Sequence, residues 1–266
     1  MKIYVLADLE GTTGVVREEQ TSADSPEYRE ACNLLTRDVN AAVEGAVQAG
    51  AGDIVVNDLH GARGGFNLVL EELHPHAKCI TGGPRIYRLS LLDRSIDAAF
   101  MIGYHAMAGT GGAVLEHTMS TKAIDEVRIN DVRVGEIGID ASVLGCFDIP
   151  IVLVTGCRKT TDEARNLLGT IEVVAVKEGL TRHSALCLTP TKTRSLIKEA
   201  SAKALQCLDD YKPLKFNPPY KVEIEYTHPT YADRYEKDPL AEMVDARTVR
   251  FRGQDLLRIM HSIGWY

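Results

Sequence analysis

"KIYVLADLEG", residues 2–11, decides how the chain is to be read. The unbroken apolar run from Ile3 to Ala7 lacks the alternation of a half-exposed strand and describes one buried on both faces. It ends in Asp8 and Glu10 and then turns on Gly11. Carboxylates two positions apart lie on one side of an extended chain. So placed, they raise each other's pKa unless a cation or a cluster of donors offsets them.

Working outward, the pattern alternates. Residues 25–52 read as a helix, with Leu35, Val39, Val43 and Val47 at a spacing of four. Ser25 suits the cap, Pro26 the first helical position, and the glycines at 50 and 52 the stop. "DIVVND" (53–58) and "AAFMIGYH" (98–105) are further apolar strands. "VRINDVRVGE" (127–136) reads as a hairpin turning at Asn130-Asp131, followed by a helix over Ile137–Cys146. Strands at 149–156 and 171–179 alternate with helices at 160–168 and 189–208.

The expected fold class is α/β: a mainly parallel sheet with helices on both faces, plus a smaller C-terminal α+β subdomain. We place the α/β metal-binding domain at 1–190 and the subdomain at 191–266. The second part is proline-rich at 211–219 and then strand-like, and it ends in a strand and a terminal helix.

The composition narrows the function. Of 266 residues, 45% are hydrophobic and 25% charged, which suits a packed domain, and the net charge of −7 argues against binding nucleic acid by phosphate neutralisation. No signal peptide is visible, and no apolar run approaches the roughly 18–20 residues of a membrane span. The six cysteines are scattered with no C-x-x-C pair, as in a cytoplasmic protein with reduced thiols.

Ligands of open α/β sheets bind outside the carboxyl ends of the strands. The first strand ends in Asp8 and Glu10, the second in Asn57, Asp58 and His60, and the third in His105. Alone, each aspartate could cap a turn and each histidine could be an ordinary core residue. Together they make a donor set for zinc or a similar divalent metal. A bridging aspartate would allow two metals roughly 3.5–4 Å apart, the arrangement used for hydrolysis. The glycine-rich stretch 106–119 then delivers Glu116 and His117. His117 could shuttle protons or be incidental to a surface loop, and Glu136 by itself is an ordinary first-turn carboxylate.

"ADLEG", "VNDLHG", "GYHA", "EHTM" and "INDVRVGE", with "TRHSALCLTP" as a weaker echo, occur in this order along the chain. The ordered set resembles the zinc-dependent D-aminopeptidase family, the DppA-like metallopeptidases. The resemblance covers nearly the whole chain and is faintest in the last fifty or so residues. It implies an aminopeptidase that releases N-terminal D-amino acids from short peptides. It also implies two zinc ions per subunit, other divalent metals being possible, on Asp8, Glu10, His60, His105 and Glu136, with Asp8 as the bridge. His117 matches the family's catalytic residue, described as a nucleophile. A ring-shaped homodecamer with an internal chamber is a further implication.

Two other readings compete. "DLEGTT" comes close to the opening motif of haloacid-dehalogenase-type magnesium phosphatases, in which Asp8 would attack phosphorus. That reading leaves His60 and His105 unexplained. A non-catalytic assembly protein with a structural metal is the second, but structural zinc sites are usually closed and four-coordinate.

Overall fold

The computed structural model describes residues 1–266. Its elements in chain order are β1 (Lys2–Ala7), α1 (Tyr28–Gln48), β2 (Asp53–Asp58), β3 (Ala77–Ile80), β4 (Ala98–Tyr104), β5 (Ile124–Ile129) and β6 (Val132–Arg133). Then follow α2 (Glu136–Cys146), β7 (Ile151–Cys157), α3 (Arg158–Leu168), β8 (Glu172–Thr181), β9 (Ser184–Cys187) and α4 (Pro190–Gln206). The chain ends with β10 (Tyr220–Tyr226), α5 (Pro229–Ala232), β11 (Ala241–Met243), β12 (Thr248–Gly253) and α6 (Leu256–Ile263).

The first sheet has the order β3-β2-β1-β4-β7-β8-β9 and is parallel except for the edge strand β9. Both faces are covered, which is why β1, β4 and β7 carry unbroken apolar runs. Alternate residues of β1 point to opposite sides: Ile3 and Val5 join a cluster of 34 buried residues with α1 and α4, while Tyr4 and Leu6 join one of 33 on the other face. That second cluster is filled by α2 and by a second, antiparallel sheet of order β11-β12-β10-β5-β6.

The second sheet takes β5 and β6 from the middle of the chain and β10 to β12 from its end. Helix α4 lies on the opposite side of the first sheet, where Ser201 Oγ donates to Ala42 O of α1 at 2.6 Å. The small C-terminal unit read from the sequence therefore has partners on both sides of residue 190. The 127–136 hairpin supplies two of the five strands of the second sheet. Its turn sits where expected, with Asn130 and Asp131 at φ 47° and 68°, the left-handed pair a tight hairpin favours. Helix α1 starts at Tyr28 rather than at Pro26, and β3, β9 and β11 are short strands that had not been expected.

The topology directs attention to one end of β1. β2 lies on one side of it and β4 on the other, so successive crossovers leave in opposite directions. Such a switch point opens a crevice at the carboxyl ends of the strands. Two glycines let the chain close it tightly. A Cβ on Gly11 would sit 1.7 Å from Tyr104 O, and one on Gly103, at φ +75°, would sit 2.1 Å from Asp8 O. No side chain fits at either place, and the ends of β1 and β4 consequently touch.

Candidate metal centre

Asp8 follows β1, His60 follows β2 by two residues, His105 follows β4, and Glu136 opens α2. The switch-point crevice brings all four together, with Glu10 beside Asp8 and His117 arriving on the 106–119 loop. Asp8 Oδ1 is 3.3 Å from His60 Nδ1, and its Oδ2 is 3.4 Å from His105 Nε2. His60 Nδ1 is also 3.0 Å from Glu10 Oε2, and His105 Nε2 is 3.2 Å from Glu136 Oε1. The donors thus fall into two sets that can each surround an ion: Asp8, Glu10 and His60; and His105, His117 and Glu136.

His117 is the outlying member. Its ring stacks on that of His105, with centroids 3.9 Å apart, and its Nε2 is 3.6 Å from Glu136 Oε1. Its side chain is 13% exposed against 1% for His105, so it borders the open space.

All three histidines are oriented alike. His60 Nε2 meets Thr21 O at 2.9 Å, His105 Nδ1 meets Ala106 O at 3.1 Å, and His117 Nδ1 meets Leu115 O at 3.0 Å. A carbonyl only accepts, so each of these nitrogens carries a proton, and the other ring nitrogen of each faces the carboxylates, where it becomes a ligand once a cation displaces its proton. Metal-ligating histidines are held in this manner. Asp8 Oδ2, Glu10 Oε2 and His105 Nε2 are buried without a hydrogen-bond partner. Glu10 Oε2 and His60 Nδ1 are near enough to pair but are not aligned for a hydrogen bond. Buried polar atoms left in this state call for a ligand.

The electrostatics agree. Burial, with the Glu10 charge added to it, raises the Asp8 carboxyl. Burial also pushes Glu10 up, but His60 outweighs it and holds the group well below the carboxylate range. Burial disfavours the charged His105, yet Glu136 and Asp8 lift it to about 10. Imidazoles raised this far mark a field of uncompensated carboxylates that attracts cations, and zinc matches the mixture of nitrogen and oxygen donors.

A cavity of about 630 Å³ lies over these groups. Its floor includes Asp8, Glu10, His60, His117 and Glu136, and Glu18, Thr21 and Lys122 stand on its rim.

Several supporting residues carry no legible motif. Arg88 pairs with Asp140 and lies 3.6 Å from Glu136 Oε2, and Tyr104 Oη donates to Asp140 Oδ2 at 2.6 Å. The buried ammonium of Lys177, on β8, donates to Glu10 O at 2.6 Å, Thr12 O at 2.9 Å and Val15 O, and so holds the loop that carries Glu10. A lysine inside the apolar stretch of β8 was the visible signal for it; Arg88 lies in an aperiodic loop and gave none. Asn57 and Asp58 are structural: Asn57 donates to Tyr4 Oη at 2.8 Å, and Asp58 accepts from Asn67 N and Leu68 N.

The phosphatase reading finds no footing here. The neighbours of Asp8 are histidines and glutamates, whereas Lys159, the candidate for the later lysine such a phosphatase needs, lines a separate cleft with Asp162 and Glu163. Asp209 and Asp210, the candidates for its paired aspartates, sit in a short turn after α4.

Comparison with known proteins agrees with this geometry. A family profile described as D-aminopeptidase matches residues 1–264. A D-aminopeptidase of Bacillus subtilis (strain 168) is 33% identical over 267 residues, covering 99% of this chain and 95% of that protein. A solved structure, the Zn-dependent D-aminopeptidase DppA from Bacillus subtilis, described as a self-compartmentalizing protease, superposes with a TM-score of 0.94 at 31% identity. The match covers 99% of this chain and 95% of that one.

Proposed function

The chain belongs to the D-aminopeptidase family, and from that premise we propose that it is a zinc aminopeptidase releasing N-terminal D-amino acids from short peptides. The observation that carries the reading is the two-sided Asp8 carboxylate, one oxygen toward each donor set.

Two zinc ions per subunit would suit the donors: Asp8, Glu10 and His60 would hold one, and His105 and Glu136, with Asp8 shared, the other; another divalent metal is compatible with the same set. Bound zinc supplies Lewis acidity toward the scissile carbonyl and acidifies water. The protein contributes the rest. The backbone carbonyls of Thr21 and Ala106 orient His60 and His105 as ligands. His117, with its proton fixed on Nδ1, offers a free Nε2 that accepts a proton from attacking water and returns it to the leaving amine. A covalent acyl intermediate on His117 is the alternative role for this residue, but it would add a step that direct attack by water does not need.

The assembly belongs to the same reading. A ring-shaped homodecamer with its active sites facing a chamber would restrict access to short peptides. It is supported by the self-compartmentalizing relative and by Leu180 and Leu186, each 68% exposed at the β9 edge of the main sheet. The setting we infer is cytoplasmic, in line with six free cysteines, and no helix is long and apolar enough to cross a membrane. The net charge favours neither nucleic acid nor an anionic membrane surface as partner.

Metal content by mass spectrometry on purified protein, paired with hydrolysis of D-Ala and L-Ala amides, tests the proposal. Two zinc ions and D-selective release are expected. Full metal loading with no hydrolysis across a broad D- and L-peptide panel would return the non-catalytic assembly reading.

A further inference from the structure

The segment that presents His117 is strained on both sides of it. Leu115 and Met119 are non-glycine residues in the left-handed region, at φ 53° and 60°. Such conformations persist only where surrounding contacts impose them. On the Met119 side the restraint comes from the metal centre itself, since Met119 N donates to Glu136 Oε1 at 2.7 Å. On the Leu115 side it comes from a distant element, the turn joining β8 to β9.

Arg182 occupies that turn. Its backbone O accepts from Leu115 N at 3.1 Å, and the Leu115 O on the same residue receives the His117 Nδ1 proton at 3.0 Å. The Arg182 side chain acts on the next residue: its Nε is 3.2 Å from Glu116 Oε2, an ion pair not aligned for a hydrogen bond, and its Nη2 donates to Glu116 O at 3.4 Å. Its remaining arm, Nη1, donates at 2.6 Å to Glu18 Oε1 on the rim of the active-site cavity. One guanidinium therefore ties the His117 segment to the cavity rim, while its own backbone sets the carbonyl that selects the His117 tautomer.

We propose that Arg182 is a positioning residue for His117, holding the Leu115–Glu116 backbone so that His117 Nε2 stays turned to the substrate. A lysine cannot replace it fully, because a point charge cannot serve Glu116 and Glu18 together as a planar fork does. The proposal rests on His117 acting as proposed above.

The test uses the full-length, zinc-loaded protein with Arg182→Gln, Arg182→Lys and, as a milder variant that leaves the Arg182 side chain in place, Glu116→Gln. For Arg182→Gln we expect kcat to fall about 10²-fold, the scale of a small misplacement of a reacting group. KM should stay within about threefold and zinc content should be unchanged, with Arg182→Lys and Glu116→Gln intermediate in kcat. The crystal structure of Arg182→Gln, or of Glu116→Gln should the first variant not fold, should show the His117 ring moved off His105. A ring still stacked at its native position, or a kcat within about twofold of the parent, would overturn the proposal. The ring position is independent of turnover. If the parent protein hydrolyses no peptide, the aminopeptidase reading fails, and the structure of the variant still decides the role of Arg182.

Discussion

Asp8 divides its two carboxylate oxygens between His60, at 3.3 Å, and His105, at 3.4 Å. A carboxylate so shared is the natural bridge of a two-metal site, and an amide is a poor substitute because it lacks the charge and has only one acceptor oxygen. Asp8→Asn should reduce bound zinc from two ions to one or none and lower kcat/KM by about 10²–10³-fold or more, the scale of losing one preorganised electrostatic group. Metal analysis and peptide hydrolysis on the same sample check this. Two tightly held zinc ions in the variant would remove Asp8 from the bridging role.

His117 differs from the other two histidines in standing at the cavity wall, paired only with Glu136 and stacked on His105. Loss of a general acid–base group lowers turnover by about 10²–10⁴-fold. His117→Ala should show a loss of that size in kcat while retaining both zinc ions. If zinc content falls along with activity, His117 is a ligand of the His105–Glu136 ion, and the proton transfer belongs to another group.

The positions behind these two predictions were legible in the sequence to different degrees, for physical reasons. Buried parallel strands advertise themselves through unbroken apolar runs, so β1, β2 and β4 and the polar residues at their ends could be read directly. The approach of His60 and His105 to Asp8 followed from where α/β sheets bind ligands. The second sheet was hidden because β5 pairs with β10 nearly a hundred residues later, and local periodicity carries no information about such a partner. Arg182 was invisible in the same way. Nothing in "TRHSA" indicates that its side chain spans Glu18 and Glu116, and the mobile-looking glycine loop 106–119 gave no sign of how firmly its far end is held.

Glu163 makes stability depend on pH. Burial, opposed in part by the Met107 N–H, raises its carboxyl to about 7, and its Oε1 has no partner. Because the folded-state pKa lies above the unfolded one, the folded chain binds more protons between about pH 4.5 and pH 7. The stabilisation is complete below that window and is lost as pH rises through it. Glu163→Gln removes the titration and keeps an acceptor for Met107 N–H. Urea unfolding should therefore show the variant gaining on the parent by about 3 kcal/mol from pH 4.5 to 7.5. Parallel stability curves across this range would mean that Glu163 titrates as an ordinary surface carboxylate.

The hairpin formed by β8 and β9 closes one edge of the main sheet without covering it, and Leu186 projects from that edge strand 68% exposed. Open edges bearing exposed apolar side chains pair with other chains unless something protects them. If the proposed ring assembly uses this edge, Leu186→Glu should bring the mass measured by light scattering down toward the single chain. The fold of that chain should be unaffected, since an exposed substitution alters stability by roughly 0.5 kcal/mol or less. The hairpin turn also carries Arg182, so the separated chain should lose turnover beyond what access to a chamber explains, visible as a lower kcat even on a single amino-acid amide. A variant that keeps the parental mass would move the interface elsewhere, to a surface carrying other exposed apolar side chains such as Ile86 and Leu91.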